Sequence, residues 1–152
     1  MDMENCSVQR TLDLVGEKWT LLILREALNG VHRFADFHEH LGASEPILAD
    51  RLKKLVSAGI LQVRPYQDDG QRTRHEYRLT EKGLELYPAI VSLMQWGDKY
   101  LADPEGASVS IEHKACGHAV RVVVQCTHDG DIIAARDARS FPGPGARKLI
   151  SD

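Results

Sequence analysis

No apolar run in the sequence approaches the roughly 20 residues that a helix needs to cross a bilayer, and the opening residues, with Asp2 and Glu4, lack the basic start of an export signal. Together these absences predict a cytoplasmic protein with no membrane partner. Cysteine is scarce. Cys6, Cys116 and Cys126 are an odd, scattered set of three, which makes no disulfide framework and leaves free thiols or metal ligands in a reducing compartment. There is no glycine-rich phosphate loop, no nucleophile elbow and no recognisable pair of carboxylates, so no enzyme is predicted. Of the seven histidines, His32, His38 and His40 fall on or beside one short helical segment, where a solvated polar face accounts for them. A general excess of positive charge is missing too. With a formal net charge of -3 the chain is no basic nucleic-acid coat, and any contact with DNA has to be local and sensitive to salt.

What is present is ordinary in amount and uneven in placement. A chain of 152 residues, 43% hydrophobic and 27% charged, suffices for one core with room for a small appendage. The organising stretch runs from Leu41 to Leu79. Gly42-Ala43-Ser44 is a turn, Ser44 can cap a helix and Pro46 is tolerated in its first turn, so a helix is expected to begin at 44 or 45. Leu48, Leu52 and Leu55 recur at spacings of four and three, which puts them on one buried face. The opposite face carries Glu45, Pro46, Ala49, Asp50, Lys53 and Lys54, and Gly59 supplies the stop. Such a helix can bury its leucines while offering a polar surface to a groove about 12 Å wide. The bland alternative is an ordinary surface helix.

The residues that follow favour the groove. Ile60 to Tyr66 is apolar and extended in character, Asp68-Asp69-Gly70 signals a turn, and Thr73 to Leu79 is the return strand of a hairpin. Arg72, Arg74 and His75 lie just past its tip. From residue 50 to 78 seven basic residues face four acidic ones, a local charge of +3 inside an acidic chain. Positive charge gathers where phosphates would have to be met.

Ahead of this stretch the chain reads as a loose arm at residues 1–6, a short helix from Val8 to Val15, a second from Lys18 to Leu28 with Trp19, Leu22, Ile23 and Ala27 inward, a brief strand at Arg33-Phe34, and a third helix from Ala35 to Leu41. Three helices, a reading helix and a hairpin make an α+β winged helix-turn-helix domain. After it, Thr80 opens the longest expected helix, to about Ala102, with a kink at Pro88. Its two apolar stripes include Leu84, Val91 and Leu101 on one side and Ile90, Leu93 and Tyr100 on the other. A helix so widely apolar calls for a partner, and it is assigned, with the first helix, to a dimer interface; the alternative is a fully buried helix in a monomer. A linker at Asp103-Pro104-Glu105-Gly106 then separates a winged helix domain, residues 1–102, from a small β-rich extension, residues 107–152. Strands are expected there at 108–112, 119–125 and 131–135, with 141–145 irregular.

The resemblance now becomes specific. Cys6, the run Gly16 to Arg25, Gly30, Arg33-Phe34, Leu52 to Leu55, Gly59-Ile60-Leu61, Tyr66, Arg74 to Thr80, Gly83 and Trp96 resemble the signature of the HxlR-type winged helix regulators, over roughly residues 6 to 100. The resemblance implies a homodimeric transcription factor, more readily a repressor than an activator, that binds a near-palindromic operator in double-stranded DNA and responds to a small molecule or to thiol modification. Carried over by position, it places Ser44, Glu45, Pro46, Ala49, Asp50 and Lys53 toward the groove, and Lys54, Arg72 and Arg74 at phosphate or the minor groove. Ser44 also reads as a cap, Pro46 as a helix starter, and Asp50 either as an acceptor from a cytosine amino group or as an intrahelical partner for Lys53 or Lys54.

Two further sites carry chemistry. His113 and Cys116, and Cys126 with Asp129, flank glycine-containing turns as the knuckles of a zinc ribbon do, and longer relatives resemble this with a cysteine where Asp129 stands. Zinc is therefore a candidate cofactor of a zinc-ribbon-like extension, against a degenerate ribbon that holds without metal. Cys6 resembles the N-terminal cysteine that some relatives use as a thiol sensor. The positive end of the first helix would stabilise a thiolate there; the alternative is a small packed residue with no regulatory role. The rival function is a winged helix module for protein or ligand binding whose DNA binding is vestigial.

Overall fold

The computed structural model describes residues 5–146. Most of the arm expected at 1–6, and the last residues of the chain, lie outside that range. The chain divides into two compact units between Ile90 and Val91.

The first unit opens with α1 (Ser7–Val15), which stops at Gly16 as expected. α2 (Lys18–Leu28) starts on Glu17, whose carboxylate accepts from the N–H groups of Trp19 and Thr20 at 3.1 and 3.2 Å. The inner face of α2 is rotated from the expected one: Thr20, Ile23, Leu24 and Ala27 are buried, whereas Trp19 and Leu22 are half-buried. The 3.6-residue period fits both sets, and the packing partners decide between them. The brief strand expected at Arg33-Phe34 is not formed, because Phe34 already begins α3 (Phe34–Leu41). Its trace is one backbone bond, Tyr77 N–H to His32 O at 2.7 Å. α3 ends on Gly42, whose φ of 64° lies in the left-handed region that glycine enters without penalty.

α4 (Glu45–Ser57) carries Pro46 in its first turn and buries Leu48, Leu52 and Leu55 completely. Each such leucine contributes about 1.5–3 kcal/mol, and these three meet Phe37, Ile23 and Leu24 in the core. The expected side-chain cap at Ser44 is absent; Ser44 contributes its backbone carbonyl, which accepts from Leu48 N–H at 2.9 Å. Gly59, at φ 71°, turns the chain out of α4, while Ile60 N–H returns to Leu55 O at 3.0 Å. β1 (Leu61–Tyr66) then pairs antiparallel with β2 (Arg74–Leu79), in a register that sets Leu61 opposite Leu79 and Tyr66 opposite Arg74. Pro65 fits because a two-stranded sheet is all edge.

Thr80 closes the root of this hairpin. Its N–H donates to Ile60 O at 3.0 Å, and its hydroxyl accepts from Gly83 N–H at 3.2 Å to start α5 (Glu81–Leu84). The single long helix expected from Thr80 to Ala102 is thus two. The chain breaks after Leu84, and Pro88 falls in the first turn of α6 (Tyr87–Tyr100), where its missing N–H costs nothing. No kink is needed.

α2 and α3 are joined by a buried carboxylate. Glu26 accepts from Arg25 Nη2 at 2.6 Å and lies 2.8 Å from His40 Nδ1. Burial pushes the Glu26 carboxyl up, but the hydrogen bonds from His40 and Arg25 outweigh it and hold it below the usual range. A lowered carboxylate contributes stability above its unfolded value, about 4.3 for glutamate, and loses that contribution as pH falls through the folded one. Glu26→Gln is therefore expected to flatten the acid limb of the stability curve, read by urea unfolding at a series of pH values below about 5. A limb as steep as the parent's would remove Glu26 from the account.

In the second unit, Gln95 of α6 fastens the extension. Its Nε2 donates to Val120 O at 2.9 Å and its Oε1 accepts from Val122 N–H at 3.0 Å. Among the described residues the three expected strands of the extension reduce to two isolated antiparallel bridges, Glu112 with Ala119 and Gln125 with Ile132. Val122, Val123 and Val124 are exposed, and a short ribbon with no covered face cannot extend its pairing. Ala135–Asp137 forms a single 3-10 turn instead of the end of a third strand.

Candidate nucleic-acid interface

Every residue assigned to the groove or to phosphate is exposed: Ser44, Glu45, Pro46, Ala49, Asp50, Lys53 and Lys54 on or just before α4, and Arg72 and Arg74 at the far end of the hairpin. The fold explains this on α4, since burying Leu48, Leu52 and Leu55 turns the intervening residues outward. Lys53, Arg72 and Arg74 have no ion pair among the described residues. Their cationic heads are available to an anion with no internal bond to break.

Lys54 differs. Its Nζ lies 3.1 Å from Asp50 Oδ2, one helical turn back, so the intrahelical alternative for Asp50 is the one the free protein adopts. Asp50 also pairs with Arg51. Lys54 first and Arg51 second hold its carboxyl below the usual range, which keeps a negative charge on the outer face of α4. Arg51 is only half exposed and reaches Glu17 Oε2 at 2.9 Å. One carboxylate thus caps α2 and anchors α4. Sequence reasoning missed this link. Glu17 has the spacing of a helix cap, but nothing local pairs it with a residue 34 positions away.

A second missed contact lies at the hairpin. The Arg33 guanidinium sits 4.1 Å from the centre of the Tyr66 ring and pairs with Asp68 at 3.1 Å.

The family whose signature is described as HxlR-like helix-turn-helix matches residues 14–105. The chain belongs to that family. It is a transcriptional regulator with a DNA-binding helix-turn-helix domain, as the HxlR resemblance led us to expect. This HxlR-like chain is 51% identical over 148 residues to the HTH-type transcriptional regulator Rv3095 of Mycobacterium tuberculosis, covering 97% of this chain and 92% of that one. Against the regulator YdeP of Bacillus subtilis the identity is 33% over 100 residues, 65% of this chain and 77% of YdeP. Among solved structures, the transcription factor PA1607 superposes with a TM-score of 0.81 at 36% identity, over 91% of this chain and 96% of that one. The redox regulator HypR in its oxidised form gives 0.58 at 28%, over 64% of this chain and all of HypR. The shorter matches span about two thirds of the chain, whereas PA1607 and Rv3095 match nearly all of it. No helix among the described residues is long and apolar enough to cross a membrane.

The other assigned residues of the HxlR-like chain fall elsewhere. Cys6 is half-buried at the N-cap of α1, with its carbonyl accepting from Arg10 N–H at 3.0 Å. The zinc candidates come together as two pairs. His113 Nδ1 lies 3.3 Å from Cys116 Sγ. Asp129 accepts from Asp131 N–H at 2.9 Å, and this bond first, then one from Cys126, lowers its carboxyl. Among the described residues no three His, Cys, Asp or Glu side chains gather as a metal site would require. As placed, His113, Cys116, Cys126 and Asp129 do not fit a tetrahedral zinc.

Proposed function

We propose that this regulator is a homodimeric repressor that reads a near-palindromic operator through α4 and steadies itself on phosphate with the hairpin. The observation that carries the proposal is the pairing of a fully buried leucine face on α4 with an exposed polar one, next to a hairpin whose Arg72 and Arg74 have no ion pair among the described residues. Exposed apolar side chains support the dimer: Val8 and Leu12 on α1, and Leu93, Trp96 and Tyr100 on α6, with Trp96 59% accessible in the single chain. Surfaces of this kind mark interaction sites. Two copies related by a twofold axis would set their reading helices about one helical turn apart on DNA. The repressor assignment follows the HxlR resemblance.

The proposal gives the sensing role to Cys6. It stands at the start of α1, a helix placed here in the dimer interface, and HypR, a structural neighbour, is a redox regulator. The test is electrophoretic shift of the protein's own upstream region across a salt series, with and without peroxide. Steep loss of binding with salt is expected, together with release by peroxide that Cys6→Ser abolishes. A flat salt response would favour a protein-binding or ligand-binding winged module, and release that survives Cys6→Ser would take the sensor away from Cys6.

A further inference from the structure

The sequence singles out Arg33, but neither reading helix nor phosphate contact accounts for it. Arg33 is the last extended residue before α3, with φ -99° and ψ 144°, so its side chain leaves from the fixed start of a helix packed on the core through Phe37. From there it reaches the hairpin in two ways. The guanidinium stacks 4.1 Å from the centre of the Tyr66 ring, and its two terminal nitrogens meet the two oxygens of Asp68 at 3.1 and 3.4 Å. The neighbouring His32 carbonyl takes the Tyr77 N–H at 2.7 Å. A two-stranded hairpin is marginal by itself, and these contacts tie it to the body of the domain along its length.

The placement of the contacts is informative. Tyr66 ends β1 directly opposite Arg74, and Asp68 lies in the turn that leads to Arg72. The clamp therefore grips beside the two cations assigned to phosphate. Stacking together with a forked ion pair requires the planar guanidinium, and lysine supplies only a point charge.

We infer that Arg33 is a positioning residue for DNA binding: by stacking on Tyr66 and forking onto Asp68 it fixes the hairpin at the angle that brings Arg72 and Arg74 to phosphate. It acts through the hairpin and does not itself touch DNA. The inference rests on the DNA-binding reading above.

The test is a double-mutant cycle on operator DNA, read as the slope of log K against log salt. Arg33→Lys keeps the charge, and a thermal melt of the variant controls for its folding. It is expected to make the slope shallower by up to about 1.8 per hairpin, the share of two phosphate contacts. On an Arg72→Ala, Arg74→Ala background it is expected to change affinity by less than about twofold, since coupled residues are not additive. A full additional loss on that background would make Arg33 an independent DNA contact and overturn the inference, as would parent-like binding by Arg33→Lys alone. Asp68→Asn supplies an arm with the opposite electrostatic expectation. Removing a negative charge near phosphate should tighten binding if charge alone matters, whereas loss of the clamp weakens it. Tighter binding by Asp68→Asn overturns the inference. If the parent shows no dependence on salt, the DNA-binding reading falls first, and an additive cycle in a parent that does show it falls on Arg33 alone.

Discussion

Neutralising Lys54, Arg72 and Arg74 together is expected to remove most of the salt dependence of DNA binding while leaving the fold intact. All three are exposed, and among the described residues only Lys54 has an ion pair, to Asp50 on its own helix. Exposed pairs of that kind contribute little to stability, so the melting temperature should move little. In a dimer the triple substitution deletes about six phosphate contacts, which flattens the slope of log K against log salt by about 5.4 and erases roughly a thousandfold change between 50 and 200 mM salt. The loss should be equal on operator and random duplex, because phosphate contacts carry no sequence. Glu45 and Lys53, on the exposed face of α4 that is proposed to read the groove, should behave differently: substituting either changes which sequence is preferred. Fluorescence anisotropy on both duplexes separates the two classes. A triple variant with the parent's slope would end the assignment of these cations to phosphate.

The largest expected effect on stability comes from Gly83→Ala. A Cβ built on Gly83 would lie 2.3 Å from Ile60 O and 2.9 Å from Leu79 Cδ2. The leucine methyl can turn away, but the carbonyl cannot, because Ile60 O already accepts the Thr80 N–H at the hairpin root. Relief of the clash requires α5 to lift away from the hairpin or that bond to break. Overpacking costs about 1–3 kcal/mol and occasionally more, and a backbone obstacle puts this case at the upper end. A fall in melting temperature of roughly 15 °C follows for a domain of this size, measurable by circular dichroism. A variant that melts within about two degrees of the parent would show that the root is softer than its hydrogen bonds imply.

The elements legible in the sequence are those whose signals are local. Leu48, Leu52 and Leu55 announced the buried face of α4, and Gly16, Gly42 and Gly59 ended helices where the spacing said they would. Asp68-Asp69-Gly70 marked the hairpin turn. The expectations that failed turned on tertiary partners. Trp19 and Thr20 are one residue apart, and only the packing of α2 decides which of them goes inward. Pro88 has the same effect on a sequence pattern whether it kinks one helix or starts another, and the chain breaks after Leu84 so that Pro88 starts α6. The valines of the extension have the composition of a strand but lack a sheet to join. In the candidate interface, exposure of the reading face could be inferred from periodicity. Glu17 with Arg51 and Arg33 with Asp68, about 35 positions apart in each case, leave no mark that one sequence can reveal.

The carboxylate of Asp50, held charged on the outer face of α4, bears on how the proposed interface would discriminate among sequences. If α4 reads the groove as proposed, a duplex that takes Lys54 has to separate it from Asp50 and accommodate the anion left beside the bases. A stretch of the genome that offers that anion a cytosine amino hydrogen recovers the cost, and one that offers a carbonyl does not. On that proposal, and since a regulator competes against millions of irrelevant positions, repulsion between Asp50 and most duplexes would shorten idle residence more than it weakens binding where a cytosine amino group faces the carboxylate.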